Sequence, residues 1–196
     1  MRKWFLCSLI VLTAFVGKAQ VADSDTQLTR RLHHYMQLSK DLKFEQLMDY
    51  MHPALFTIAP KEDILKTFEA IYHNEEMKIT IDSIAILAIG PGYKNKERIY
   101  KKVDYFMSLQ LRYNDTVALA DTVFKNNLRN GLVVGFPGKK ISYNENNYSY
   151  TIAGNEVMFA IKENATAAWM FVGYNKNPVL IKALFPEAVI QHFKLL

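Results

Sequence analysis

The chain has almost no cysteine. Cys7 is the only one among 196 residues, and it lies in an apolar N-terminal run. Beyond that run there is no disulfide, no cysteine–zinc site and no thiol nucleophile, so the domain must be held by its core alone. Blocks of like charge are missing too: Lys and Arg are scattered, and no run reaches five. Nucleic acid is therefore not an expected partner, despite a net charge of +5. His33, His34, His52, His73 and His192 form no His-x-x-x-His or His-Glu-x-x-His spacing. His33 and His34 point about 100° apart on a helix, a poor geometry for one ion, so no metal site is expected and the histidines read as solvated. A Gly-x-Ser-x-Gly elbow, a P-loop and a dinucleotide fingerprint are all absent. No catalytic residue and no cofactor is assigned. No repeat, low-complexity tract or Pro/Ser-rich linker divides the chain.

What is present starts at the N-terminus. Arg2 and Lys3 precede an apolar run from Trp4 to Val16, broken only by Ser8 and Thr13, and Gly17-Lys18-Ala19 follows. A charged start, an apolar run and a small-residue cleavage site make a secretory signal peptide over residues 1–19, cut before Gln20. The run is short of the roughly 20 apolar residues a membrane span requires, and no later segment reaches that length, so no span is expected in the mature chain. A secreted or periplasmic location follows. Removing Arg2, Lys3 and Lys18 brings the net charge from +5 to about +2. Residues 20–196, rich in hydrophobic (50%) and aromatic (13%) side chains over the full chain, suffice for one domain with a sizeable core.

Periodicity orders that domain. Apolar residues three and four apart predict a helix over 21–39 (Leu28, Leu32, Tyr35, Met36) and a shorter one over 42–51 that His52-Pro53 ends. Ala54 to Ile58 reads as a short edge strand. Pro60 opens a third helix, with Glu62 and Asp63 in its first turn and Ile64, Leu65, Phe68, Ile71 and Tyr72 on its apolar face. The period then falls to two. Met77–Ile89 is a long strand with Ile79, Ile81, Ser83, Ala85, Leu87 and Ile89 on one face, and Gly90-Pro91-Gly92 turns the chain. Glu97–Tyr113 is the next strand, with Val103, Tyr105, Met107, Leu109 and Leu111 on its buried face; Phe106 is the exception on the polar one. A short helix around Val123–Leu132 and strands over 141–143 and 148–152 lead to a hairpin over Val157–Tyr174, whose apolar arms flank the tip Lys162–Thr166. Asn177-Pro178 caps and starts a C-terminal helix, and Pro186-Glu187 restarts it.

Three helices, two long strands, a link, a strand meander and a terminal helix make an α+β domain. The second helix ending at Asp49-Tyr50-Met51-His52-Pro53, the helix at Pro60 and the two long strands after it resemble the nuclear-transport-factor-like and SnoaL-like superfamily. The resemblance covers about residues 24–174. It implies a cystatin-like roll, in which N-terminal helices pack into a curved antiparallel sheet to make a cone, here with an added C-terminal helix. Enzymes of that superfamily place Asp, His or Tyr inside the cone. Here the inner face of the second long strand offers Tyr105 and no carboxylate, Asp82 and Asp104 falling on the other face, so no family catalytic residue is carried over.

Tyr105, Trp169 and Phe171 are expected to share one sheet face with Met107 nearby, and these four are the candidate ligand-binding residues. Such a face is either ordinary core or the wall of a mostly apolar pocket with Tyr and Trp as polar handles. The expectation is an exported, non-catalytic binding module that holds a small apolar or amphipathic ligand. A homodimeric interaction module and a dehydratase- or isomerase-type enzyme stand as alternatives.

Overall fold

A computed structural model describes residues 16–115, 118–119 and 121–196. The expected signal peptide lies outside the described residues except for Val16–Ala19, whose backbone begins the first helix. No helix among the described residues is long and apolar enough to cross a membrane.

Helices come first. α1 (Val16–Lys40) and α2 (Phe44–Met48) precede a 3-10 turn at Pro53–Thr57, and α3 (Lys61–Tyr72) follows. The segment expected as an edge strand at Ala54–Ile58 is this turn. The reason is local: the His52 side chain accepts a hydrogen bond from the Ala54 amide and Pro53 sits at the first helical position, a capped helical start. α3 begins directly after Pro60 with Glu62 and Asp63 in its first turn.

The sheet follows. β1 (Met77–Ile89) leads through a short β2 (Tyr93–Asn95), which the periodicity did not reveal, into β3 (Arg98–Tyr113). α4 (Thr122–Gly135), capped by the Asp121 carboxylate on the Val123 and Phe124 amides, leads to β4 (Lys140–Asn144), β5 (Ser149–Lys162) and β6 (Met170–Gly173). α5 (Pro178–Leu184), capped by Asn177, and α6 (Glu187–Phe193) close the chain. All six strands form one antiparallel sheet of order β1-β3-β5-β4; β2 extends the β1 side of β3, and β6 the β4 side of β5. The domain is therefore α+β with a central pair of long strands.

Two expectations about strands need correction. The segments 148–152 and 157–161 are not separate strands but parts of β5, a single 14-residue strand paired with β3 along its whole length. And the face expected for β1 holds at Ile79, Ile81 and Ile89 but not between Ile81 and Ile89. Register shifts between Ile81 and Ser83 and between Ile86 and Ala88 are β-bulges, and each inverts the alternation. Ile84 and Ile86 therefore take the place assigned to Ser83, Ala85 and Leu87, and Leu87 is left 53% exposed.

Each end of the sheet is covered differently. α1 lays Leu28, Leu32 and Met36 on Val103, Met158, Ala160 and Phe171. Farther along the same face, α4 supplies Leu132, Phe124 and Leu128 to a cluster with Ile79, Ile81, Leu109, Leu111, Tyr150 and Ile152. The opposite face is covered at one end, where Ile181, Phe185, Val189 and Ile190 of the C-terminal helices bury Tyr100, Phe159, Ile161 and Val172. That is why Tyr100 is buried on the side of β3 that is polar elsewhere. α2 and α3 pack against α1 through Leu38, Phe44, Leu47, Met48 and Phe68, with Tyr35 and Tyr72 at the margin.

Candidate functional site

The clusters under α1 and under α4 meet at Ile84, Tyr105 and Met107: Ile84 packs against both, Tyr105 against the first and Met107 against the second. Register places these side chains together, since Ile84 is opposite Met107 and Ile86 opposite Tyr105. On the other side of β3, Gly154 stands opposite Met107 and Glu156 opposite Tyr105. Side chains of one parity share a face. Glu156 thus lies on the helix-covered face, beside Tyr105, a carboxylate supplied by β5 while the inner face of β3 itself carries none. Read as one strand, Tyr150, Ile152, Gly154, Glu156 and Met158 form a single two-residue repeat that includes it.

Glu156 is not alone. Lys139, just before β4, places its Nζ 2.6 Å from Glu156 Oε1 and also donates to the backbone oxygen of Asn155. Gly154 makes this reach possible. A Cβ there would lie 2.7 Å from Cδ of Lys139, so the lysine stem lies across the glycine on its way to Glu156.

Tyr35 from α1 and Tyr72 from α3 complete the group: both act electrostatically on Tyr105, as does Glu156. Burial pushes the Tyr35 hydroxyl up to about 12 and raises those of Tyr72 and Tyr105. For Tyr105, burial is the largest cause, and the neighbouring Tyr35, Glu156 and Tyr72 add to it. All three hydroxyls are neutral near pH 7. Among the described residues none of the three has a hydrogen-bond partner, and none is sealed from water. Each tyrosine keeps part of its surface open although protein surrounds it. They stand at the margins of the packed clusters, not in their interior.

A groove of about 500 Å³ between α1 and β1 has Ile84, Ile86 and Ile89 as its floor, with Met36 above and Thr29, His33, Gln37 and Lys40 on its rim. Ile84 and Ile86 are the cross-strand neighbours of Met107 and Tyr105. The volume lies in the range of small-molecule sites, and an apolar floor with few polar groups is their usual make-up.

Of the four residues expected to bind ligand, Tyr105, Met107 and Phe171 share this sheet face by register, and Trp169 joins the same cluster from just before β6. Their exposures separate them. Tyr105 and Met107 are half-buried, whereas Trp169 and Phe171 are each 1% exposed. Trp169 and Phe171 pack beneath α1, where the Tyr35 and Phe171 ring centroids lie 4.9 Å apart.

A second constellation escaped sequence reasoning. Pairing of Ile99 with Lys162 sets Arg98 beside Glu163 at the end of the sheet. Arg98 Nε donates to Glu163 Oε2 at 2.6 Å, and His52, only 5% exposed, meets Glu163 Oε1 through Nε2 at 2.7 Å. The Ala54 amide donates to His52 Nδ1, which leaves Nε2 as the donor to the carboxylate. Burial by itself raises the Glu163 pKa, but the hydrogen bonds from His52 and Arg98 outweigh it and hold the carboxyl below its ordinary value. The solvated reading thus fails for His52. With both ring nitrogens engaged it cannot take a proton from a substrate, and the group ties the turn at residues 52–57 to the sheet. No sequence spacing could reveal it, because residues 52, 98 and 163 meet only through tertiary pairing.

Among the described residues no three His, Cys, Asp or Glu side chains converge as a metal site. Compared with models of protein families, with curated proteins and with solved structures, the chain finds no match.

Proposed function

We propose that the chain is an exported, non-catalytic binding module that holds a small apolar or amphipathic ligand in the groove between α1 and β1, within a cystatin-like roll. One observation carries this reading: a groove of about 500 Å³ floored by Ile84, Ile86 and Ile89 lies between α1 and β1, with Tyr105 the cross-strand neighbour of Ile86. The isoleucine floor of the groove would take the apolar body of the ligand, and the rim of Thr29, His33, Gln37 and Lys40 its polar group.

The test is native mass spectrometry of the chain from Gln20 to Leu196, purified gently from its exported form. Extra mass that disappears on denaturation supports the reading, and its identity names the ligand. A bare monomer that no amphiphile stabilises against heat would count against it, and a bare mass of twice the chain would favour the dimeric interaction module instead.

Glu156 favours a second reading. A carboxylate directly across the sheet from Tyr105 is the kind of ionisable group that a dehydratase or isomerase needs. Against it, Lys139 already occupies one carboxylate oxygen. Turnover of a candidate substrate that Glu156→Gln abolishes without weakening binding would establish it.

A further inference from the structure

Where the strands end beside the C-terminal helices, two clefts share Arg98, Glu163 and Pro186 in their walls. One, of about 560 Å³, lies between the 3-10 turn at Pro53–Thr57 and α5; the other, of about 510 Å³, is bordered by Asn95, Lys96 and Glu97. Neither shares a lining residue with the groove between α1 and β1. We propose that the first cleft is a second binding site, for a small carboxylic acid whose carboxylate meets Arg98 and Lys182 and whose apolar body lies against Leu184, Phe185 and Pro186.

Three separate pieces of chain build it. β3 begins at Arg98 and β5 ends at Lys162, so the pairing of Ile99 with Lys162 leaves Arg98 and Glu163 side by side just past the last rung. Asn177-Pro178 starts α5, which carries Lys182 in its last turn. His52 holds the turn in place through the Ala54 amide and Glu163.

Charge decides the class of ligand. Arg98 and Glu163 cancel each other, and His52, which accepts from the Ala54 amide at Nδ1, is neutral. Lys182 is exposed and pairs with no carboxylate among the described residues, so the cleft keeps one positive charge in excess. Glu163 is a poor counter-ion for an incoming amine, because each of its oxygens already accepts a charge-assisted or buried hydrogen bond. Arg98 is different. It gives Glu163 its Nε–H and meets the Tyr100 hydroxyl from the second cleft, but a guanidinium has five N–H donors. Those that remain suit the planar oxygens of a carboxylate. The carboxylate of Glu163, itself fixed by buried His52, holds the guanidinium in one orientation, so His52 and Glu163 are positioning residues that lessen the ordering cost of binding.

Size and lining decide the body. The volume suits a small organic molecule, and a bare inorganic anion would use the charges while leaving the apolar wall from Leu184 to Pro186 in contact with water.

The experiment titrates benzoate, benzamide and inorganic phosphate into the protein purified in its exported form, at about pH 7 and low salt, and follows NMR shifts. Benzoate should bind with a Kd of about 1 mM or tighter, ordinary for a ligand of this size. Benzamide, of the same shape without the charge, and phosphate, with charge and no apolar body, should each bind at least about tenfold more weakly. Arg98→Gln should weaken benzoate at least about tenfold, and Lys182→Gln about 2- to 5-fold. Lys182 is exposed, so its variant tests the site even where Arg98→Gln fails to fold. Benzamide or phosphate as tight as benzoate overturns the proposal, as does the absence of benzoate binding up to about 10 mM. Benzoate binding that Lys182→Gln leaves unchanged lies elsewhere on the molecule, and overturns it too. None of these outcomes bears on the groove between α1 and β1.

Discussion

Replacing Tyr105 with phenylalanine removes one oxygen from the sheet face beside the groove and separates stability from function. In most proteins a tyrosine hydroxyl on a buried sheet face has a partner, and its loss destabilises. Here none of the described residues pairs with the Tyr105 hydroxyl, and burial raises its pKa. A fully buried, unpaired hydroxyl costs about 1–3 kcal/mol. Tyr105 is half-buried and its oxygen reaches water, so about half of that range applies. Tyr105→Phe should therefore raise the unfolding free energy of the ligand-free protein by about 0.5–1.5 kcal/mol. For a domain of this size the melting temperature rises by about 1–6 °C. Ligand affinity should move the other way: losing one hydrogen bond of about 0.5–1.5 kcal/mol weakens binding roughly 2- to 12-fold. Urea denaturation at constant slope measures the first change and calorimetry the second. A loss of stability above about 1 kcal/mol would refute the reasoning, because it would mean that the hydroxyl has a partner in the native state. Unchanged affinity for a ligand that wild type retains would remove Tyr105 from the site.

Two further outcomes test the fold and the second constellation. Phe159 is 0% exposed, with its ring 5.0 Å from Phe185 and 5.1 Å from Phe193, so Phe159→Ala should cost about 3–5 kcal/mol in urea unfolding and leave α5 and α6 open to limited proteolysis. A cost below about 1.5 kcal/mol would mean that the C-terminal helices do not need this ring. Glu163 is held below the ordinary carboxylate value of 4.5, so its contribution is fully present above that pH and is lost as pH falls from there through the native value. The stability gap between wild type and Glu163→Gln should be flat at neutral pH and shrink in acid. With the side chain 37% exposed, solvent screening keeps that gap to about 1 kcal/mol. A gap that grows as pH drops would contradict the assignment.

Most elements were legible in the sequence, for reasons that can be named. β3 carries Val103, Tyr105, Met107, Leu109 and Leu111 at a period of two, and one covered face is what that pattern requires. Asn177-Pro178 starts α5 because a capping side chain and a preset φ act within three residues. The errors share a cause as well. Bulges in β1 cannot be read from alternation, because an extra residue inverts the pattern without breaking it. β5 looked like two strands because Ala153–Glu156 is weakly apolar, and pairing with β3 along its whole length is what keeps those residues extended.

The sequence by itself determined most of the helices and long strands, the absence of thiol chemistry beyond Cys7 and the placing of Tyr105 and Met107 on one face, because those follow from local periodicity and composition. Only the tertiary structure decided which polar groups meet. Glu156 reaches Tyr105 by strand register, Lys139 reaches Glu156 across a glycine, and His52 reaches Glu163 by the tie of residues 50–52 to β6. Such meetings join residues that are distant in the chain and in register only after the sheet has formed, and no local pattern encodes them.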